Sequence, residues 1–208
     1  MAGKLIVFDG VDRAGKSEML RRVLEGLAKR GIDAMCVATD HVVGNYVPSL
    51  FGRFPDEIVY MLFWQAIREA ELTKIQPALN LDRVVLVDRH VLSNLAYDWW
   101  KDLDHEFKSH VDELYLDKCL RPDLLFLFTI PYSVFAERDD GDVVLEQSLF
   151  EAIQQSFLVW GRQIEMERIC PVVYVDGSEK LDVVFDRVMG QVLCTLSGVL
   201  HEKETTRV

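Results

Sequence analysis

The chain has 208 residues, half of them hydrophobic and 27% charged, which suits one globular domain with its own core. Its net charge is −11 at pH 7 and no stretch concentrates Lys and Arg, so nucleic acid is not expected as a partner. The longest uncharged apolar stretch, 188–200, is too short to cross a bilayer, and four widely spaced cysteines predict reduced thiols and a cytoplasmic location.

Short apolar runs alternate with helical patterns along the chain. The runs lie at 5–9, 34–39, 84–88, 124–129 and 172–176, and the helical patterns at about 18–30, 57–79, 92–119, 132–138, 146–168 and 180–200. Near-continuous apolar strands are typical of a parallel sheet that is covered on both faces. The sequence therefore predicts an α/β fold with three layers, a central five-stranded parallel sheet and an active site at the carboxyl ends of the strands. We expect a single domain over 1–208, with a frayed tail at 202–208.

The first strand runs directly into Gly10-Val11-Asp12-Arg13-Ala14-Gly15-Lys16-Ser17, which has the spacing G-x-x-x-x-G-K-S. A strand, a glycine-bounded loop and a helix in this order predict the phosphate-binding loop of a P-loop NTPase fold. The two glycines let backbone N–H groups converge on phosphates, Lys16 adds a full positive charge, and the Ser17 hydroxyl is placed for Mg²⁺. The predicted nucleotide-binding residues are Gly10, Val11, Asp12, Arg13, Ala14, Gly15, Lys16, Ser17 and Glu18.

A second pair of charged residues, Asp88 and Arg89, follows the strand at 84–88. Because this strand end lies at the same edge of the sheet as the phosphate loop, Asp88 is expected to contribute to the Mg²⁺ site of Ser17. Arg89 is expected to bind an incoming phosphate through two parallel hydrogen bonds. A purely structural ion pair is the alternative, and the neighbouring phosphate loop favours the functional interpretation.

Three motifs taken together resemble thymidylate kinases. They are the segment 8–17, the pattern Asp88-Arg89-His90 followed by Ser93, Ala96 and Tyr97, and the segment Arg121-Pro122-Asp123-Leu124. The resemblance runs from residue 4 to about residue 176 with order and spacing retained. It implies a P-loop nucleoside monophosphate kinase of nucleotide biosynthesis, which uses ATP and Mg²⁺ to phosphorylate dTMP or a related pyrimidine deoxynucleoside monophosphate.

The resemblance also implies a set of acceptor-binding residues: Trp64, Arg68, Arg89, Asn94 and Tyr97. Trp64 would stack on the pyrimidine base, Arg68 would contact its polar edge, and Asn94 and Tyr97 would line the base and sugar pocket. Structural alternatives remain open for three of them. Trp64 could belong to the core, Arg68 could pair with a glutamate on its own helix, and Tyr97 could only pack beneath a loop.

The catalytic set that the resemblance implies is Lys16, Arg13, Asp12 and Arg89. Asp12 corresponds to the loop acid near the sugar hydroxyl. Arg13 corresponds to the arginine that, in one branch of the family, stabilises the transferred charge from this loop rather than from a lid. Phosphoryl transfer otherwise needs only alignment, a metal ion and cations around the phosphoryl oxygens.

The chain departs from the family pattern in three places. The second strand ends in Ala38-Thr39-Asp40-His41 without the usual arginine, although Arg53-Phe54-Pro55 follows later. Glu18 stands where threonine is usual, and the lid-like segment 138–146 is short and acidic. These departures leave the triphosphate site intact and weaken the prediction of dTMP as the acceptor.

Three hypotheses therefore stay open: a kinase of dTMP, a related kinase of another acceptor such as a nucleoside or a modified nucleobase in DNA, and a nucleotide-binding protein of low turnover. The partners expected are small nucleotides. The sequence does not reveal the oligomeric state, although the resemblance leaves pairing with a second copy through helices on one face open. The apolar stripe Leu62, Ala66 and Ala70 and the helix 104–119 could serve such an interface or could equally be core.

Overall fold

The fold was analysed in a computed structural model that describes residues 3–39, 54–97, 104–138 and 145–198. Its strands are β1 Lys4–Gly10, β2 Ala34–Ala38, β3 Val84–Asp88, β4 Leu124–Thr129 and β5 Val172–Asp176. They form one parallel sheet in the order β2-β3-β1-β4-β5. The predicted α/β fold with a central five-stranded parallel sheet is confirmed, and each strand lies within one residue of its predicted bounds.

The helices are α1 Lys16–Ala28, α2 Asp56–Ala70, α3 Gln76–Leu79, α4 Val91–Ala96, α5 His105–Leu116, α6 Tyr132–Glu137, α7 Gln147–Met166 and α8 Leu181–Ser197. A π-helical segment, Glu71–Ile75, joins α2 to α3. Helix α1 packs against α8, and α4 packs against α7, so helices flank the sheet. Within the described ranges, every helix is too short or too polar to cross a lipid bilayer.

One predicted helix, 92–119, is wrong as a continuous element. Helix α4 stops at Ala96 because Tyr97 takes an extended conformation, with φ −73° and ψ 96°. Helix α5 begins after Asp104, whose carboxylate accepts the Phe107 N–H at 3.0 Å and so caps a new helix start. The extended Tyr97 brings its hydroxyl to the phosphate loop, so the break serves the site.

Two hydrophobic clusters hold the elements together. The larger surrounds the sheet, and its strands β1 and β4 are buried along almost their whole length. The smaller, here called the second core, consists of Val59, Tyr60, Trp64, Leu95 and Val111 and joins α2, α4 and α5. The active-site loops are therefore anchored in the main core, whereas α2 and α5 are held mainly by the second.

Candidate active site

The phosphate loop begins where β1 ends, in the middle of the sheet between β3 and β4. Gly10 has φ +127°, and a Cβ there would come within 2.1 Å of the Phe128 carbonyl oxygen on β4. Gly15 has φ +88° and directly precedes α1. Only glycine fits both positions without strain, because neither conformation is readily open to a residue with a Cβ. The loop thus delivers the N-terminus of α1 to the carboxyl edge of the sheet, where anions are favoured.

Lys16 folds back over this loop. Its Nζ donates to the Gly10 carbonyl at 3.1 Å and to the Val11 carbonyl at 2.6 Å. Burial, together with the like charge of Arg89, lowers the pKa of Lys16 to about 8, and the nearby carboxylates oppose this only in part. The group is therefore mainly protonated at pH 7 and holds a desolvated positive charge at the loop.

Ser17 and Asp88 form the predicted metal-binding pair. The Ser17 hydroxyl donates to Asp88 Oδ2 at 3.2 Å, which joins the start of α1 to the end of β3. A hydroxyl and a carboxylate are the hard oxygen donors that Mg²⁺ prefers. No group of three or more His, Cys, Asp or Glu residues suited to a metal occurs in the described part of the chain. The pair therefore fits Mg²⁺ that completes its coordination with phosphates and water rather than a cage of side chains.

Arg89 lies at the centre of a group of residues that are predicted to bind the acceptor. It has φ +60°, and its guanidinium donates to the Gly10 carbonyl at 3.2 Å, to Ser93 Oγ at 3.0 Å and to the Asp12 carboxylate. The Tyr97 ring lies 5.3 Å from the guanidinium carbon, and the Tyr97 hydroxyl donates to Asp12 at 2.7 Å. Burial alone would raise the pKa of Asp12, but the charges of Arg89 and Lys16 and the hydrogen bond from Tyr97 lower it.

Asp9 is a site residue that the sequence analysis did not identify. This carboxylate is fully buried at the end of β1 and accepts four hydrogen bonds. Its donors are the Gly10 N–H at 2.9 Å, the N–H groups of His90 and Ser93 at 3.1 Å, and Ser93 Oγ at 2.6 Å. Asp9 therefore ties the phosphate loop to the segment that follows β3. The available sequence clue was an acid within an otherwise apolar strand.

Arg138 connects the phosphate loop to the loop that follows the edge strand β5. Its guanidinium donates to the Arg13 carbonyl and to the Gly177 carbonyl, each at 2.9 Å. The Arg13 guanidinium lies 4.5 Å from the Phe135 ring centre and reaches the Phe135 carbonyl at 3.5 Å. Arg138 is the first residue of the predicted lid-like segment, of which 139–144 lie outside the described residues.

A cavity of about 570 Å³ runs from the phosphate loop to the β5–α8 loop. Its lining includes the phosphate loop and start of α1 from Asp12 to Glu18, Asp88 and Arg89 at the end of β3, and Gly177, Leu181 and Val184 from the β5–α8 loop and α8. This volume suits a nucleotide. Of the predicted nucleotide-binding residues, Gly10 and Val11 lie outside the lining, and Glu18 pairs with Arg21 and Arg22 on the surface of α1.

The predicted acceptor residues fall into two groups. Arg89 and Tyr97 meet Asp12 at the phosphate loop, as described above. Trp64 is instead fully buried in the second core, edge-on to the Tyr60 ring at 6.5 Å. Arg68 donates to Glu71 and to the Lys118 carbonyl, so neither of these two side chains joins the Arg89 group. Their contact with a base stays a prediction.

Asn94 lies on α4, beside this group in sequence, and its side chain is more than nine-tenths buried. Its Nδ2 has no hydrogen-bond acceptor among the residues that the structure describes. An unsatisfied buried amide is costly unless a further group binds to it, which suits its predicted place in the acceptor pocket. Of the segments that depart from the family pattern, Asp40, His41 and Arg53 lie outside the described residues.

The family model described as thymidylate kinase matches residues 8–188. A thymidylate kinase of Latilactobacillus sakei is 31% identical over 202 residues, which cover 88% of this chain and 92% of that protein. One of Geobacillus thermodenitrificans is 28% identical over 214 residues, covering 95% and 93%. A probable thymidylate kinase of Thermococcus onnurineus is 30% identical over 149 residues, covering 65% and 71%.

Proposed function

The chain belongs to the thymidylate kinase family and is a nucleoside monophosphate kinase that phosphorylates dTMP with ATP, and from this premise we propose which residues perform the reaction. ATP occupies the cavity between the phosphate loop and the β5–α8 loop. Its phosphates lie on the loop N–H groups and the N-terminus of α1, and Lys16 contacts the β- and γ-phosphates. The nucleoside extends toward Gly177 and Leu181.

Ser17 and Asp88 would hold Mg²⁺. When bound, the ion would supply positive charge against the charge that develops on the β- and γ-phosphate oxygens. The Ser17–Asp88 contact at 3.2 Å supports this proposal because it already brings a hydroxyl and a carboxylate together beside Lys16. Both residues line the nucleotide cavity.

Arg89 binds the phosphate of dTMP and aligns its attacking oxygen with the γ-phosphate. The acceptor phosphate is already ionised at neutral pH, so the reaction needs positioning and positive charge rather than a general base. Asp12 accepts a hydrogen bond from the Arg89 guanidinium, and the incoming phosphate competes with this carboxylate for it. Lys16, Arg13 and Arg89 then surround the transferred group with three cations.

The observation that most strongly supports this assignment is the convergence of Lys16, the Ser17–Asp88 pair and Arg89 at the adjoining ends of β1 and β3. The test is an acceptor screen with radiolabelled ATP and Mg²⁺, covering nucleoside monophosphates, nucleosides and oligonucleotides. We expect dTMP to be the preferred acceptor. Faster phosphorylation of a nucleoside or of DNA would contradict the assignment of Arg89 to an acceptor phosphate.

The metal site has its own test. Ser17→Ala should lower kcat at least about a hundredfold, because a preorganised contact to the transition state is lost with the metal ligand. Ser197→Ala is the matched control, since its hydroxyl donates to the Cys194 carbonyl within α8. Equal activity of the two variants across a Mg²⁺ titration would contradict the assignment of Ser17 to the metal site.

We also propose that the chain pairs with a second copy through α2. Ala66 and Ala70, two residues of the stripe considered in the sequence analysis, are buried within the chain, so that stripe is mostly core. The exposed apolar side chains of this helix are instead Ile58, Met61 and Leu62, on adjoining turns. Sedimentation of the wild-type chain and of Met61→Glu tests the pairing, and a wild-type monomer at micromolar concentration would contradict it.

A further inference from the structure

Glu71 is a buried carboxylate that the assigned reaction does not use. It is only 1% exposed and opens the π-helical segment that interrupts the path from α2 to α3. Such segments are rare and occur frequently at functional sites. A carboxylate in this position is costly to bury unless its oxygens are paired, so the hydrogen-bond partners of Glu71 indicate the role of the π-helical segment.

The two oxygens of Glu71 join three parts of the chain. Oε1 accepts the Leu120 N–H at 2.8 Å and lies 2.9 Å from His90 Nε2, while Oε2 accepts from the Arg68 guanidinium. Burial would raise the pKa of Glu71, but the bonds from His90 and Leu120 and the charge of Arg68 lower it. Glu71 is therefore ionised at neutral pH and joins α2, the start of α4 and the approach to β4.

His90 extends this network to the acceptor-phosphate residue. It directly follows Arg89, its ring is buried, and its N–H donates to Asp9 at 3.1 Å. Arg89 itself is left-handed, a backbone conformation that is unfavourable for a residue with a Cβ and persists only when its surroundings fix it. Asp9 fixes the backbone of His90, which follows Arg89, and Glu71 fixes the His90 ring.

We propose that Glu71 is a positioning residue for phosphoryl transfer, which acts through His90 to keep Arg89 aimed at the phosphate loop. The inference rests on the proposed role of Arg89. Glu71 contacts Arg68, His90 and Leu120, and it does not line the nucleotide cavity. The competing explanation is that Glu71 only neutralises Arg68 and stabilises the helix junction, which predicts lost stability without a specific loss of turnover.

A double-mutant cycle between Glu71 and Arg89 separates the two explanations. Glu71→Gln keeps the shape but removes the negative charge and one of the two accepting oxygens. The contact with His90 loses its charge assistance when the amide oxygen faces that ring, and loses its accepting oxygen when the amide is reversed. In the otherwise wild-type chain the substitution should lower kcat for dTMP by about ten- to a hundredfold, the scale of a misplacement of about 1 Å, with little change in the KM for ATP. In the Arg89→Ala background the same change should alter kcat by less than about twofold, because no guanidinium remains to be positioned.

Asp112→Asn is the matched control, since this mostly buried carboxylate pairs with Tyr60 and Lys108 beside the second core. It should lower the melting temperature and leave kcat unchanged. If Glu71→Gln does not fold, His90→Phe, which keeps a ring and removes Nε2, takes its place in the cycle with the same expected result.

Two outcomes would overturn the inference, and they differ from each other. If Arg89→Ala lowers kcat but Glu71→Gln lowers it equally in both backgrounds, or not at all, Glu71 does not act through Arg89. If Arg89→Ala leaves kcat unchanged, the proposed role of Arg89 fails first and the positioning role fails with it.

Discussion

Lys16→Met separates what the lysine contributes to catalysis from what its burial costs the fold. Methionine keeps an unbranched apolar chain but removes the charge and the hydrogen bonds to the Gly10 and Val11 carbonyls. We expect kcat to fall at least about a hundredfold, because the point charge at the transferred phosphoryl group is lost. The more specific expectation concerns the pH dependence of stability.

The magnitude follows from the pKa of Lys16 in the two states, which is about 8 in the folded chain against 10.5 ordinarily. Below pH 8 both states are protonated, and the folded state bears the full cost of the desolvated charge. Between pH 8 and 10.5 the unfolded chain binds the proton and the folded chain does not, so the free energy of unfolding rises with pH. At about 1.4 kcal/mol per pH unit, the rise is about 3 kcal/mol over this window.

The assay is urea unfolding of the wild-type protein and of Lys16→Met at a series of pH values from 7 to 11. Titrations that both proteins share cancel in the difference between their free energies of unfolding. The wild-type value minus the variant value should climb by about 3 kcal/mol as pH increases. A flat difference would refute the desolvated charge, and near-normal turnover of the variant would refute the phosphate-loop assignment.

Three further changes probe the donor side and the second core. Arg13→Ala should lower kcat with little change in the KM for ATP, and a larger kcat loss in Arg138→Ala, assayed alongside, would assign the catalytic charge to the lid instead. Gly177→Ala would place a methyl group 2.2 Å from the Ala14 carbonyl oxygen, so the β5–α8 loop must shift. Calorimetric titration should show ATP binding weakened at least about tenfold, and unchanged binding would mean that this loop is not part of the nucleotide site. Trp64→Ala should lower the free energy of unfolding by about 3–5 kcal/mol, because the ring is fully buried. A raised KM for dTMP at unchanged stability would instead support the stacking role.

The strands and both charged loops were predictable because their residues leave few alternatives. A run such as Leu124–Thr129 has no polar face, so only a strand covered on both sides suits it. The phosphate loop and Arg89 follow such strands directly, and parallel strands place their carboxyl ends at one edge. The geometry at that edge was therefore implied before any contact was known.

The acceptor side was harder to predict because helical spacing shows which residues share a face, not what covers that face. Trp64 and Arg68 do lie one turn apart, but the second core encloses Trp64, and Arg68 pairs with Glu71. Nothing in the residues 71–75 distinguishes a π-helical segment from a continuing α-helix. The break at Tyr97 likewise depends on a contact with Asp12 that is distant in sequence.

The second core also bears on how the molecule opens. A cluster of five buried side chains contributes less to the free energy of unfolding than the main core around the sheet. The second core therefore defines a smaller cooperative unit. Backbone amides of α2 and α5 should exchange with deuterium together, and earlier than those of β1 and β4. Because Leu95 on α4 belongs to the same cluster, an acceptor held by Arg89 would slow that exchange. The donor loop, which the main core anchors, is therefore expected to open later than the elements around the second core.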